Sequence, residues 1–130
     1  MPVDSSIPVL IVDDYQTAVR IVRGHLAQLG LHNVDEASGG GQALQMIAAK
    51  SYGLVISDWN MADMTGLELL QRLRAQPQTA GLPVIMITAE SKTDHAVAAR
   101  KAGVSSYLIK PFGAAQLKAK IDAIFAARAA

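Results

Sequence analysis

Leu54-Val55-Ile56-Ser57-Asp58-Trp59-Asn60-Met61 is the stretch that decides the fold. A short apolar run delivers an aspartate, and the chain then turns away through Trp59 and Asn60. Runs of this kind, bounded by turn residues, suit a strand buried on both faces, as in a parallel sheet. Asp58 then stands at the carboxyl end of that strand, where open parallel sheets place their ligands. Taken alone, an aspartate in that position is more often a turn cap than a reactive group. The rest of the chain has to decide between the two.

Working outward, the same grammar repeats. Val9–Val12 is a buried-strand run ending in Asp13-Asp14, followed by Ala18, Ile21, Val22, Leu26 and Leu29 at helical spacing and a closing Gly30. Asn33–Ala37 is a short polar strand suited to a sheet edge. A helix with the stripe Ala43, Leu44, Ile47 and Ala48 leads into Leu54–Asp58, and a helix beginning near Thr65 carries Leu67, Leu70 and Leu73. Leu82–Thr88 reads as a fourth strand, with Pro83 tolerated at its start. The helix expected over residues 91–102 has only alanines and Val97 for an apolar face, so it buries little area and is weakly anchored. Ser106–Ile109 makes a fifth strand ending at Lys110-Pro111, and Leu117, Ile121, Ile124 and Phe125 mark the last helix. Strands and helices alternating at short connections describe a single doubly wound α/β domain spanning 1–130, with a parallel sheet and a flexible end at residues 1–6.

Composition removes several classes of function. The chain has 130 residues with 12 basic and 11 acidic side chains, a net charge of +1, and 51% hydrophobic residues. That balance gives no basic stripe for nucleic acid. The absence of cysteine excludes disulfides and thiolate chemistry. No apolar run reaches the ~18 residues of a membrane span, and the N-terminus lacks the features of a secretory signal. These features point to a cytoplasmic protein. Ser38-Gly39-Gly40-Gly41 lacks the lysine and frame of a phosphate loop. His25, His32 and His95 fall on different elements without metal-ligand spacing.

The strand ends carry the chemistry. Strand one ends in Asp13-Asp14, strand three in Asp58, strand four in Thr88 and strand five in Lys110, all along one edge of a parallel sheet. Crowded carboxylates repel one another, and partial burial adds to the rise of their pKa values. A hard divalent cation relieves that repulsion, and Mg²⁺ is the ion held by a few carboxylates, a carbonyl and exchangeable waters. Asp58 then serves as a nucleophile toward phosphorus. The cation and Lys110 offset charge on the phosphoryl oxygens.

Asp13-Asp14, Asp58, Thr88-Ala89 and Lys110-Pro111 resemble the signature of two-component receiver domains over nearly the whole chain. Ser57–Met61, Leu67–Leu70, Thr88-Ala89-Glu90 and Tyr107 bring it closest to the chemotaxis response regulators of that family. The resemblance implies a flavodoxin-like (βα)5 fold with strand order 2-1-3-4-5, which the strands themselves do not dictate. It further implies a phosphoryl group accepted on Asp58 from a histidine kinase, and Mg²⁺ held by Asp14, Asp58 and the Asn60 carbonyl, with Asp13 acting through water. Thr88 and Lys110 would bind the phosphoryl oxygens, and Lys110-Pro111 would be cis. Thr88 and Tyr107 would form a switch acting on the face of helix four, strand five and helix five. The implied partners are a chemotaxis-type kinase, a flagellar motor switch protein and a phosphatase, with the chain itself monomeric and acting as a phosphoacceptor, not as an enzyme on a separate substrate. Three positions depart from the pattern. Ala62 replaces a proline, which suggests a looser loop beyond Asn60. Thr65 replaces an acid but can still cap a helix. Gly113 replaces a Thr or Asp at the start of the last helix.

Other readings fit less well. A phosphate sink or another phosphorelay role uses the same residues. An aspartyl-phosphate hydrolase of the haloacid dehalogenase type needs a second aspartate at position 60, which is Asn. Flavin binding would set a phosphate against Asp13-Asp14. A transcription factor would need a helix-turn-helix segment for which no residues remain.

Overall fold

In the computed structural model, which describes residues 4–89 and 93–129, five strands alternate with five helices. The strands are β1 (Val9–Val12), β2 (Val34–Ala37), β3 (Leu54–Asp58), β4 (Val84–Thr88) and β5 (Ser106–Ile109). The helices are α1 (Gln16–Gln28), α2 (Gly40–Ala49), α3 (Gly66–Arg74), α4 (Thr93–Lys101) and α5 (Ala114–Ala129). All neighbouring strands pair in parallel in the order β2-β1-β3-β4-β5, the doubly wound flavodoxin-like arrangement. Of the expected flexible end, residues 1–3 lie outside the described set, while Asp4–Ser6 form a turn in which Ser6 N–H donates to Asp4 Oδ1 at 2.9 Å. Glu90, Ser91 and Lys92, and with them the expected start of α4, also lie outside it.

The period-two alternation of the central strands divides the core into two layers. Val9, Ile11, Leu54, Ile56, Ile85, Ile87 and Leu108 face Val19, Val22 and Leu26 of α1 and Leu117, Ile121 and Ile124 of α5. Leu10, Val12, Val55, Val84 and Met86 face Ala43 of α2, Leu69, Leu70 and Leu73 of α3, and Ala99 of α4. Each large aliphatic side chain taken out of water contributes about 1.5–3 kcal/mol, which is what fastens the helices to the sheet.

At the edge, β2 is indeed short and polar, and its acids are occupied by neighbours. Arg23 of α1 meets Glu36 at 2.6 Å and donates to Val34 O at 3.0 Å. Asp35 Oδ2 accepts from Tyr52 Oη at 2.6 Å and from Lys50 Nζ at 2.9 Å, which blunts the edge. The fourth strand begins at Val84, after Leu82 and Pro83, because Pro83 has no N–H for the ladder. The alanine-rich α4 buries Ala99 but leaves Val97 40% exposed, so Val97 is not its anchor. Gly113 N–H donates to Gln116 Oε1 at 2.7 Å, so the chain enters α5 with a side-chain cap despite the missing hydroxyl or acid.

Candidate functional site

The sheet register sets the residues of the site. Asp58, the last residue of β3, pairs with Ile87, and Thr88, the last of β4, pairs with Ile109. Val12 pairs with Ser57, so Asp13 leaves β1 at the level of Asp58. Lys110 N–H donates to Thr88 O at 2.7 Å, which carries the ladder one residue beyond β5 and places the lysine at the same edge. The Lys110-Pro111 peptide is cis.

At this edge Lys110 Nζ lies 3.0 Å from Asp58 Oδ1, with the Asp58 side chain 11% exposed. Asp13 is buried, and its Oδ1 accepts from Tyr15 N–H at 2.9 Å. Burial is the main cause that holds the Asp13 carboxyl above the usual carboxylate range. The Tyr15 N–H and Lys110 work against it, and the neighbouring Asp58 and Asp14 charges add to it. Asp14 is exposed, with its Oδ2 accepting from Ala62 N–H at 2.8 Å. Asn60 is exposed just beyond β3, and Thr88 is fully buried at the end of β4. Tyr107 is half-buried and packs against the α2–α4 layer. It pairs with Met86, so Tyr107 and Thr88 share one face of the sheet.

The loop between β3 and α3 is tied down at several points. Trp59 N–H donates to Ile87 O, and Gly66 N–H donates to Trp59 O, both at 2.8 Å. The Asp63 carboxylate accepts from Gly40 N–H at 3.1 Å and Gly41 N–H at 2.8 Å, capping α2 from another loop. These N–H bonds, Gly41 first, hold Asp63 below the usual carboxylate range. The amides of the glycine run therefore serve an acid of this chain. Thr65 and Glu68 form a capping box at the start of α3. At Ala62, where a looser loop is expected, the N–H that proline would lack donates to Asp14 Oδ2.

Three participants were not visible in the sequence. Asp63 and the Ala62 amide are two. The third is His95, whose ring stacks on Trp59 with centroids 4.3 Å apart and planes within 5°. That contact fastens α4 to the residue next to Asp58. His25 instead packs on Phe112 with centroids 5.6 Å apart, so the histidines do not gather at one site.

The donors at this edge fit a hard cation in kind: carboxylate oxygens from Asp13, Asp14 and Asp58 with a carbonyl at Asn60, and a repulsion on Asp13 that a cation would relieve. Among the described residues no three His, Cys, Asp or Glu side chains converge closely enough to enclose one, Asp14 being engaged by Ala62 N–H and Asp58 by Lys110.

A strained carboxylate group of this kind costs stability. The folded protein binds the Asp13 proton before the unfolded chain does, so the penalty is full above the folded pKa and is relieved as pH falls through it. Asp13→Asn should therefore stabilise the protein at neutral pH by about 1 kcal/mol, with the advantage shrinking as pH falls. Urea melts of both proteins in chelator across pH check this, and a less stable variant at neutral pH contradicts it.

A doubly wound parallel sheet with an acid–lysine pair at its carboxyl edge and further aspartates beside it defines an α/β module with a charged cleft at that edge. The sequence matches the response regulator receiver domain family over residues 9–122, and the chain belongs to that family. It is 45% identical over 122 residues to the chemotaxis protein CheY-3 of Vibrio cholerae, covering 94% of each chain. It is also 45% identical over 117 residues to the chemotaxis protein CheY of Pseudomonas aeruginosa, covering 90% of this chain and 94% of that one. Among solved structures, a response regulator from Chloroflexus aurantiacus superposes with a TM-score of 0.88 at 32% identity, covering 93% of this chain and 98% of that one. The chemotaxis protein CheY4 of Vibrio cholerae superposes with a TM-score of 0.84 at 29% identity, covering 92% and 98%. The chain is a CheY-like receiver of two-component signalling.

Proposed function

We propose that this receiver accepts a phosphoryl group from a histidine kinase on Asp58 in a Mg²⁺-dependent reaction, and that it carries a chemotaxis signal to the flagellar motor. The observation that carries the reading is the 3.0 Å pairing of Asp58 with Lys110 at the carboxyl edge, beside a buried Asp13 on which the Asp58, Lys110 and Asp14 charges all act.

The step balances simply. An Asp58 carboxylate oxygen attacks the phosphorus of the kinase phosphohistidine, a P–O bond forms as the P–N bond breaks, and the imidazole leaves with a proton from solvent. Lys110 orients Asp58 before the step and holds the phosphoryl oxygens after it. Asp13, Asp14, Asp58 and the Asn60 carbonyl are the groups that would hold Mg²⁺, which would supply charge neutralisation on the same oxygens. The new group, carrying about −1.5 to −2 charges, draws the Thr88 hydroxyl toward it. Tyr107, on the same sheet face, turns into the space released, and the population of the α4–β5–α5 face shifts toward a partner-binding form. Residues 1–130 act as one receiver domain in the cytoplasm, monomeric, with phosphate lost by hydrolysis or to a phosphatase.

The chemotaxis assignment rests on the 45% identity to the two proteins of that name. Trp59 adjoins the site and stacks on His95, so its fluorescence should change on adding Mg²⁺ and again on adding acetyl phosphate. A titration that stays flat through the millimolar range would count against the site. Pull-down with both forms tests the output. Capture of a flagellar switch component only by phosphorylated protein supports motor signalling, whereas its capture by neither form favours a phosphate sink.

A further inference from the structure

Trp59 is a fixed platform beside Asp58. Its N–H donates to Ile87 O and its carbonyl accepts from Gly66 N–H, both at 2.8 Å, so its backbone is pinned to β4 on one side and to α3 on the other. The residue is 6% exposed, and the His95 ring lies over its indole with centroids 4.3 Å apart and planes within 5°. His95 belongs to the first turn of α4. Among the described side chains of that helix only Ala99 is fully buried, with Ala98 partly covered beside it. A methyl group removes little area from water, so the aromatic contact carries much of the hold on α4. The chain that leaves Thr88 also runs into this helix. The start of α4 is thereby tied at two points, through Thr88 and through the ring laid on Trp59, and both lead back to the level of Asp58.

We propose that His95 is a positioning residue that latches α4 to the phosphoacceptor strand, and that phosphorylation acts on α4 by working against this stack. The inference rests on the reading of Asp58 given above. Because Trp59 is pinned and α4 is lightly anchored, opening of the stack displaces the helix and leaves the site in place. A pull on Thr88 toward a phosphoryl group shifts the chain entering α4 against the fixed indole, so the load falls on the stack. Its strength then sets how far one phosphoryl group moves the α4 population.

Amide hydrogen exchange on the whole chain tests this with wild type, His95→Ala and His95→Phe at one pH, read separately for α4 and for the sheet. Without phosphorylation, the alanine variant should exchange about three- to tenfold faster through α4, while β1 and β3 stay as protected as in wild type. The phenylalanine variant, whose ring can lie on Trp59, should restore the wild-type protection. Acrylamide quenching of Trp59, the single tryptophan, reads the stack itself and should strengthen only in the alanine variant. In excess acetyl phosphate with MgCl₂, and with labelling checked by intact mass, α4 of the wild type should approach the exchange rate of the alanine variant. Equal α4 exchange in wild type and His95→Ala overturns the proposal, as does a rise shared equally by the sheet or a failure of phenylalanine to restore protection. Labelled wild type with α4 unchanged overturns the link to phosphorylation. Absence of labelling overturns the phosphoacceptor reading instead, and the latch is still decided by the three unphosphorylated proteins.

Discussion

Asp58→Asn is expected to abolish acyl-phosphate formation while leaving the protein folded. The amide has nearly the shape of the carboxylate but is a poor nucleophile, and its phosphoryl adduct is not an anhydride-like ester that could form from a phosphohistidine. Asp58 reaches its position through the β3 ladder, whose backbone bonds do not depend on the side-chain charge. The change also removes one of the charges that raise Asp13, so thermal stability should hold or improve. Lys110 loses its ionic partner, a partly exposed contact in which a modest effect on folding is expected. Intact-mass measurement after incubation with acetyl phosphate and Mg²⁺ checks the claim, and equal phosphorylation of variant and wild type would refute it.

Gly66→Ala should be the most damaging small change near the site. A Cβ there would lie 2.3 Å from the Asp58 backbone oxygen and 2.6 Å from Met86 Sδ. The sulfur can move, but the oxygen belongs to the strand that presents the phosphoacceptor. Gly66 also donates its N–H to Trp59 O at 2.8 Å, so α3 cannot back away without breaking that bond. Overpacking of this kind costs about 3 kcal/mol. Urea denaturation should register that loss, together with a weakened Trp59 response to Mg²⁺. Stability within about 0.5 kcal/mol of wild type, the range of an inconsequential surface change, contradicts the packing described.

Much of this architecture is legible in the residues because burial and chemistry share one periodicity. Val9–Val12 and Leu54–Asp58 are apolar on both faces because helices cover both faces, and each run ends in an acid because the carboxyl edge is where the sheet opens. Asp13, Asp14, Asp58, Thr88 and Lys110 could therefore be placed on one edge before their distances were known, and Lys110 and Asp58 do meet there. The strand order is different. Nothing in the runs themselves says that β1 lies between β2 and β3, so that part came from the family likeness.

What could not be read depends on groups that sequence patterns do not display. The Ala62 bond uses a main-chain N–H, which every residue but proline carries, so only the tertiary approach of Asp14 makes it notable. Asp63 caps a helix 22 residues earlier in the chain, outside the reach of any local capping rule. The apolar pattern offered α4 only alanines and Val97; Ala99 is the one it buries, and His95 adds a hold by lying flat on Trp59, a contact between an imidazole and an indole that hydrophobic periodicity does not weigh.

The central claim is that Asp58 is the phosphoacceptor. Wild-type protein phosphorylated in the presence of Mg²⁺, then cleaved and sequenced by mass spectrometry under conditions that keep or trap acyl-phosphates, tests it most directly. The expected result is a single modified peptide containing Asp58, with the modification absent when Mg²⁺ is chelated. Modification of another residue, or Asp58 labelled equally without Mg²⁺, would contradict the account.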